Sequence, residues 1–217
     1  MLEAAFYIRW LPFLLAGVKY TVGVALCAAV IGVVLGLILA LIRLAEIPIV
    51  SPSVWLFVEY VRGVPALVVL FFFYYALPHA GVRLDAFWAA SLGLALNEAV
   101  FAAEIFRAGI QSLPRGQLDA GASIGLSRWD LYRFVVLPQA VAWMIPPLTN
   151  DMVGLIKNSS LASTITVEEL SLRATAVVSA TFRPFEVYAA VATIYVVLTL
   201  ATSALSHQLE RRMRFAT

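Results

Sequence analysis

The chain has 217 residues, of which 62% are apolar and 13% charged, and its net charge is +2. A soluble domain runs nearer half apolar and a quarter charged, which sets aside a water-soluble enzyme and a disordered chain. The small net charge and the lack of Lys/Arg runs with interleaved aromatics set aside nucleic acid as a partner. Cys27 is the one cysteine, so no intrachain disulfide exists. At roughly 20 residues per crossing the length allows at most about six to eight membrane spans. The composition is that of an integral membrane protein in a lipid bilayer.

Tyr20 to Ile42, Gly63 to Val82 and Val187 to Leu209 carry no Asp, Glu, Lys or Arg, and each is long enough to cross a bilayer. Ala86 to Ile110 is interrupted by Glu98, Glu104 and Arg107, and Phe134 to Ser159 by Asp151 and Lys157. Neither interruption carries a turn cluster. The pattern predicts an all-α membrane protein with five spans, roughly 12–42, 56–78, 86–111, 134–158 and 185–209. No repeat or linker divides the chain, so residues 1–217 form a single membrane domain. Gly32 and Gly36 make a small-xxx-small pair suited to close helix packing, most simply inside one subunit.

The first span is too long for the core of a cleaved signal. Arg43, Arg107, Arg115, Arg128, Arg133, Arg211, Arg212 and Arg214 would share one side of the membrane. Arg9, Arg83, Arg173 and Arg183 would share the other. The excess of basic residues places the first group in the cytoplasm. The N-terminus is then outside and the C-terminus inside, as an odd number of spans requires.

The loop between the third and fourth spans carries the most information. Pro114 is expected to end the third helix. Gln117 to Ile124 then reads as a two-turn helix lined by small residues, with Gly125 as a left-handed stop. Ser127-Arg-Trp-Asp130 has the form of a capping box opening the next helix. A short helix with a small-residue face, clamped between two turns, is shaped as a docking knob. It would serve equally well as a plain loop closure.

Asp119 to Pro138 resembles the "EAA" loop of the membrane subunits of binding-protein-dependent ABC importers. That pattern is Glu-Ala-Ala, three residues, Gly, nine residues, then Ile-x-Leu-Pro. Asp119, Ala120, Gly121, Gly125, Val135, Leu137 and Pro138 stand at its positions, with Asp for Glu, Gly for the second Ala and Val for Ile. Three further stretches are similar to the polar amino-acid branch. They are Glu59-Tyr-Val-Arg-Gly-Val-Pro65, Asn97 with Ala103 to Ser112, and Lys157 to Ser163.

The resemblance implies a type I ABC importer membrane domain with a cytoplasmic coupling helix between spans three and four. It assigns ATPase coupling to Gln117, Asp119, Ala120, Gly121, Ser123, Gly125, Leu126 and Ser127. It also implies an ATP-binding subunit dimer in the cytoplasm, a second membrane subunit (identical or paralogous), an external solute-binding protein and a bacterial inner-membrane location. The chain has no G-x-x-x-x-G-K-[S/T] loop. It is therefore not expected to be an enzyme or to bind a cofactor, and ATP and Mg belong to the partner ATPase.

Polar groups at membrane depth are costly and mark function by default. Asn97 and Glu98 fall near the middle of span three, and Asn150 and Asp151 near the middle of span four. An amino acid needs a carboxylate for its ammonium and amide donors for its carboxylate. Asp151 and Asn97 can supply them, with Glu98 and Asn150 beside them. Helix–helix hydrogen bonding is the competing role for all four. Glu59/Arg62 and Glu104/Arg107, three apart, read as self-neutralising pairs. The outer segment Asn158 to Glu186, with a short helix over 167–178, suits a gate or a landing surface for a binding protein. No metal set or nucleophile set is expected. A self-contained secondary carrier is the alternative, but it would show paired repeats and broken helices, and the sequence displays neither.

Overall fold

A computed structural model describes residues 4–112 and 115–214, with the side chains of 115 and 209–214 outside the description. The expected stop at Pro114 lies outside the described residues. Helix α1 (Ala4–Leu44) is followed by α2 (Val50–Arg62) and α3 (Ala66–Phe71). The chain continues from α3 through a π turn, Phe72–Ala76, and a 3-10 turn, Leu77–Ala80. Next come α4 (Ala86–Gln111), the short α5 (Arg115–Ser123) and α6 (Arg128–Asp130). A π turn, Leu131–Val136, leads from α6 into α7 (Leu137–Asn158). A 3-10 stretch, Ser159–Ile165, precedes α8 (Leu170–Thr181) and α9 (Pro184–Arg214). Among the described residues there is no strand. Four continuous helical segments are long and apolar enough to cross a membrane, and the bent pair α2 with α3 makes a fifth.

The core is the seam between α1 and α4. A Cβ on Gly32 would lie 2.7 Å from Glu98 Cβ, and one on Gly36 would lie 2.7 Å from Ala102 Cβ and 2.8 Å from the Ala99 carbonyl. Ala25, Ala28, Ala29, Ala95, Ala99, Ala102 and Ala103 are buried around them. Without a hydrophobic drive between helices in lipid, close backbone approach supplies the attraction. The small-xxx-small pair thus packs inside the subunit, as the sequence favoured. Gly23 meets Phe87 and Gly36 meets Ala102, so α1 and α4 run in the same direction. Two parallel helices with one crossing between them fit the five-span order.

The second span departs from expectation. In place of one helix over 56–78, α2 and the segment Ala66–Ala80 are bent by 104°. Pro65 stands in extended backbone at φ −56° and ψ 137°. It donates no hydrogen bond and its ring excludes the helical conformation at the preceding residue, so the helix cannot pass Val64. The expectation of no broken helix is corrected with it. Val58 and Val61 of α2 pack with Val100 of α4, and Leu70 of α3 backs onto Gly93.

Candidate functional site

At one end of the bundle, the loop between α4 and α7 folds as its residues dictate. Gly125 has φ +82°, the left-handed stop expected of it. Ser127 Oγ accepts a hydrogen bond from the Asp130 backbone N–H at 3.1 Å, capping α6. On α5 the side chains divide. Gln117, Asp119, Ala120 and Ser123 are exposed, and Gly125 and Ser127 follow them on the surface. Gly121 is buried, and a Cβ there would stand 2.4 Å from Leu131 Cδ1. Gly121 therefore seats the knob on the π turn, while Ala120 and Asp119 remain on its outer side. Leu126 is partly buried. Gln139 of α7 donates to Gln117 Oε1 at 2.8 Å, tying α5 to the next span.

Behind the knob, Glu104 holds two guanidiniums. Arg107 donates to Oε2 from Nε at 3.1 Å and from Nη2 at 2.7 Å. Arg43 of α1 pairs with Oε1. The Glu104/Arg107 pair was legible as an i, i+3 spacing. Arg43 lies 61 residues away, so no local pattern announces it.

The four groups expected at mid-membrane differ in burial. Glu98 is 6% exposed and wedged against Gly32 of α1. Its Oε1 has no hydrogen-bond partner among the described residues. Asp151 is half-buried and close enough to Glu98 to interact with its charge. Asn97 is partly buried, and Asn150 is exposed on α7. Packing of Met144 against Gly109 sets the antiparallel register of α7 on α4. In that register Asp151 lies about one turn, roughly 5 Å, nearer the α5 end of the bundle than Glu98.

At the opposite end of the bundle a network appears that the sequence reading missed. Glu169 is fully buried and caps α8, accepting from the N–H groups of Ser171 at 2.7 Å and Leu172 at 3.0 Å. Its other oxygen accepts from Tyr195 of α9 at 2.9 Å and Thr21 of α1 at 3.3 Å. Burial pushes the Glu169 carboxyl above the usual carboxylate range, although these four donors pull it down. The outer helix α8, expected over 167–178, begins at Leu170. The available signal was a Glu directly before an apolar helical stretch. Glu168 and Arg173 pair at 2.7 Å, and Phe182 and Phe185 stand 88% and 76% exposed beside Arg183. Among the described residues no group of His, Cys, Asp and Glu is arranged to hold a metal.

Comparison with known proteins places this arrangement. The family described as "Binding-protein-dependent transport system inner membrane component" matches residues 32–215. The chain is 39% identical over 211 residues to the probable amino-acid permease protein YxeN of Bacillus subtilis, covering 96% of this chain and 94% of that one. It is 36% identical over 206 residues to the glutamine transport system permease protein GlnP of Escherichia coli, covering 94% of each. A crystal structure of an amino acid ABC transporter with histidines contains a chain of 34% identity that superposes with a TM-score of 0.90, over 98% of this chain and 99% of that one. The MetNI methionine ABC transporter, at 19% identity and a TM-score of 0.76 over 93% and 96% of the chains, shares the fold. On these matches, the chain belongs to the inner membrane components of binding-protein-dependent transport systems, multi-pass subunits of the ABC importer membrane-domain fold.

Proposed function

We propose that this chain is the permease subunit of an ABC importer that carries a polar amino acid inward across the bacterial inner membrane. The observation that carries the reading is the α5 knob. It displays Asp119, Ala120 and Ser123 outward, anchors through Gly121 and Gln117, and joins the two spans that hold Glu98 and Asp151. Relatives that are named for amino-acid and glutamine transport support the substrate class. The secondary carrier loses its ground, since the chain belongs to the inner membrane components of binding-protein-dependent transport systems and superposes on an amino acid ABC transporter chain.

An ATP-binding subunit dimer docks on Gln117, Asp119, Ala120, Ser123, Gly125, Leu126 and Ser127. ATP and Mg bind in that dimer, whose closure pulls on α5. The pull reaches α4 and α7 through Leu131 and Gln139 and alternates access to the midplane. There Asp151 and Glu98 meet the ammonium, and Asn97 and Asn150 donate to the carboxylate. The N-terminus is outside, and the C-terminus is in the cytoplasm. An external binding protein delivers the amino acid to the surface around α8. The whole chain acts as one domain.

Reconstitution with the ATP-binding subunit and binding protein tests this reading. ATP-dependent uptake of labelled glutamine, arginine or cystine is expected in proteoliposomes. Ala120→Trp overfills a close-packed contact and should abolish binding of the ATP-binding subunit while the chain still inserts. Ala120 is the better probe than Gly125, where any side chain strains the left-handed backbone. Uptake without ATP, or unchanged coupling in Ala120→Trp, overturns the proposal.

A further inference from the structure

The turn between α1 and α2 closes over a cavity at the end of α4. Its volume is about 420 Å³, within the range of small-ligand sites. Arg43, Arg107 and Glu46 charge its lining, and Ile47, Pro52 and Trp55 give it an apolar side. Arg43 has a side chain 10% exposed and, among the described residues, bonds only to Glu104, through Nη1. Its Nε and Nη2 donors are left for whatever enters the cavity. Arg107 lines the same space and donates from Nη1 to Gln111 Oε1 at 2.6 Å. That bond leaves the Gln111 amide NH₂ as a further donor. Glu104 offsets one of the two guanidiniums, so the wall keeps one net positive charge.

Glu46 is exposed on this cavity and belongs to no ion pair among the described residues. The turn accounts for its separation from the guanidiniums. Glu46 has φ +51° and Ile49 φ +71°, a left-handed backbone that neither side chain favours. Ser51 pins this turn, accepting from the Ile47 N–H at 2.9 Å and donating to the Ile42 carbonyl at 2.7 Å. Strain of this kind gathers at ligand clamps. The cavity thus holds a positive and a negative pole apart, and a bare anion would satisfy only one of them. Its mouth adds a third requirement. Trp55 and Ile47 are 50% and 46% exposed there, and Ile49 beside them is 82% exposed. An apolar rim of this sort marks contact with lipid or another chain.

We infer that this cavity holds the headgroup of an aminophospholipid. The phosphodiester lies on Arg43 and Arg107, the primary ammonium on Glu46, and the acyl chains run over Trp55, Ile47 and Ile49. Basic pockets between membrane helices hold phospholipid headgroups by the same charge pairing, and Glu46 adds selection for the amine. A free amino acid would meet both poles and leave the apolar rim bare. The bound lipid would fasten the α1–α2 turn to the end of α4. None of this depends on the importer reading, which rests on α5 and the buried acids.

The test uses the full chain with its ATP-binding subunit, delipidated in detergent. It is offered equal amounts of phosphatidylethanolamine, phosphatidylglycerol and phosphatidylcholine with the same acyl chains, and native mass spectrometry counts the lipids bound. The parent should retain phosphatidylethanolamine about tenfold above the other two, since one charge-assisted contact is worth roughly that factor. Glu46→Lys should erase this preference and turn it toward phosphatidylglycerol. Arg107→Gln should lower retention of all three lipids, because the phosphodiester is common to them. Glu168→Lys, at an exposed acid beside α8, should leave the order unchanged. The inference is overturned if Glu46→Lys keeps the parent's preference, if Glu168→Lys shifts it equally, or if Arg107→Gln retains all three lipids like the parent. Glu46→Lys breaks no ion pair, so it reads the site even where Arg107→Gln loosens the fold. Soluble competitors separate the sources of the same chemistry. Phosphoethanolamine and glutamine should not displace the lipid, and displacement by either assigns the cavity to a soluble zwitterion and overturns the lipid. Copurification of the ATP-binding subunit and ATP-driven uptake score the importer reading separately.

Discussion

Among the described residues two glutamates are buried, and their surroundings differ in kind. Glu169, before α8, receives four donors from three helices. Glu98, at the middle of α4, has an oxygen with no partner and an acidic neighbour in Asp151. A buried polar group normally has its hydrogen bonds made. The first is therefore a fastener, holding α8 to α1 and α9. The second retains unused acceptor capacity on α4, one of the two long helices joined by the α5 loop.

The largest effect should come from removing the fastener. Glu169→Leu deletes the α8 cap and removes an acceptor shared by Tyr195 and Thr21, whose hydroxyls keep Ser171 Oγ and the Gly17 carbonyl as partners. A lost cap costs about 1 kcal/mol and each further hydrogen bond lost to a charged acceptor about 1.5–3 kcal/mol. A loss of roughly 3 kcal/mol or more in thermal unfolding of the purified subunit is expected. Glu98→Leu keeps the volume and removes an unsatisfied atom, so its stability should stay within about 1 kcal/mol of the parent. Equal losses in the two variants would erase the distinction between them.

Second in size is the seam that presses on Glu98. Gly32→Ala puts a methyl 2.7 Å from both Cβ and Cγ of that residue. Overpacking of this order costs about 1–3 kcal/mol. The double variant Gly32→Ala with Glu98→Ala should recover most of the loss, since the added methyl then meets a shortened side chain. If the double variant is no better than Gly32→Ala alone, the wedge is not Glu98 but the neighbouring Ala95 carbonyl at 3.0 Å.

Third is chemistry at the midplane. Asp151→Asn preserves size and removes charge, and a charge-assisted hydrogen bond is worth roughly 1.5–3 kcal/mol. ATP-driven uptake in proteoliposomes should fall about tenfold or more while the subunit still assembles. Stimulation of ATP hydrolysis by empty binding protein should persist, and the extra stimulation by loaded protein should shrink. Uptake at the parent rate would make Asp151 a structural group and would leave Glu98 and Asn97 to contact the substrate.

What the sequence disclosed follows from the range of the interactions involved. The spans, the Gly125 stop, the Ser127 cap and the paired Glu104/Arg107 depend on residues within a few positions, so composition and spacing suffice. Gly32 and Gly36 announced a close approach without saying to what, and packing on α4 decided it. Arg43 on Glu104 and Thr21 on Glu169 join residues 61 and 148 apart, which no local period encodes. The bend had a local cause in plain view, Gly63 to Pro65. It was hidden by the unbroken apolar run, which signals burial in the membrane without fixing the path of the backbone. Which way Asn97 and Asn150 face was out of reach for a similar reason, because residue counts place groups along a helix and leave its rotation and register to packing.

The smallest effect is a pH dependence that belongs to Glu169 alone. Burial is the dominant influence on its carboxyl and raises its pKa, and the four donors oppose burial without overcoming it. The folded state therefore favours the protonated acid relative to the unfolded chain. Its contribution is fully present below the ordinary carboxylate range and is lost as pH rises through the raised value. Glu168, paired with Arg173 on the exposed side of the same turn, is a second carboxylate beside α8, so the measurement is best made with Glu168→Gln in both arms. Amide exchange over Leu170–Thr181, expressed as protection relative to the free peptide rate at each pH, should then weaken from acid toward neutral conditions. Glu169→Gln mimics the neutral acid: its carbonyl oxygen still accepts from Ser171 and Leu172, and its NH₂ can donate to Tyr195 and Thr21 once those hydroxyls turn. Its protection should be flat with pH. Protection that instead strengthens toward neutrality in the Glu169 chain would mean that the donors outweigh burial and that this carboxyl is held ionised, so that the fastener is tightest when charged.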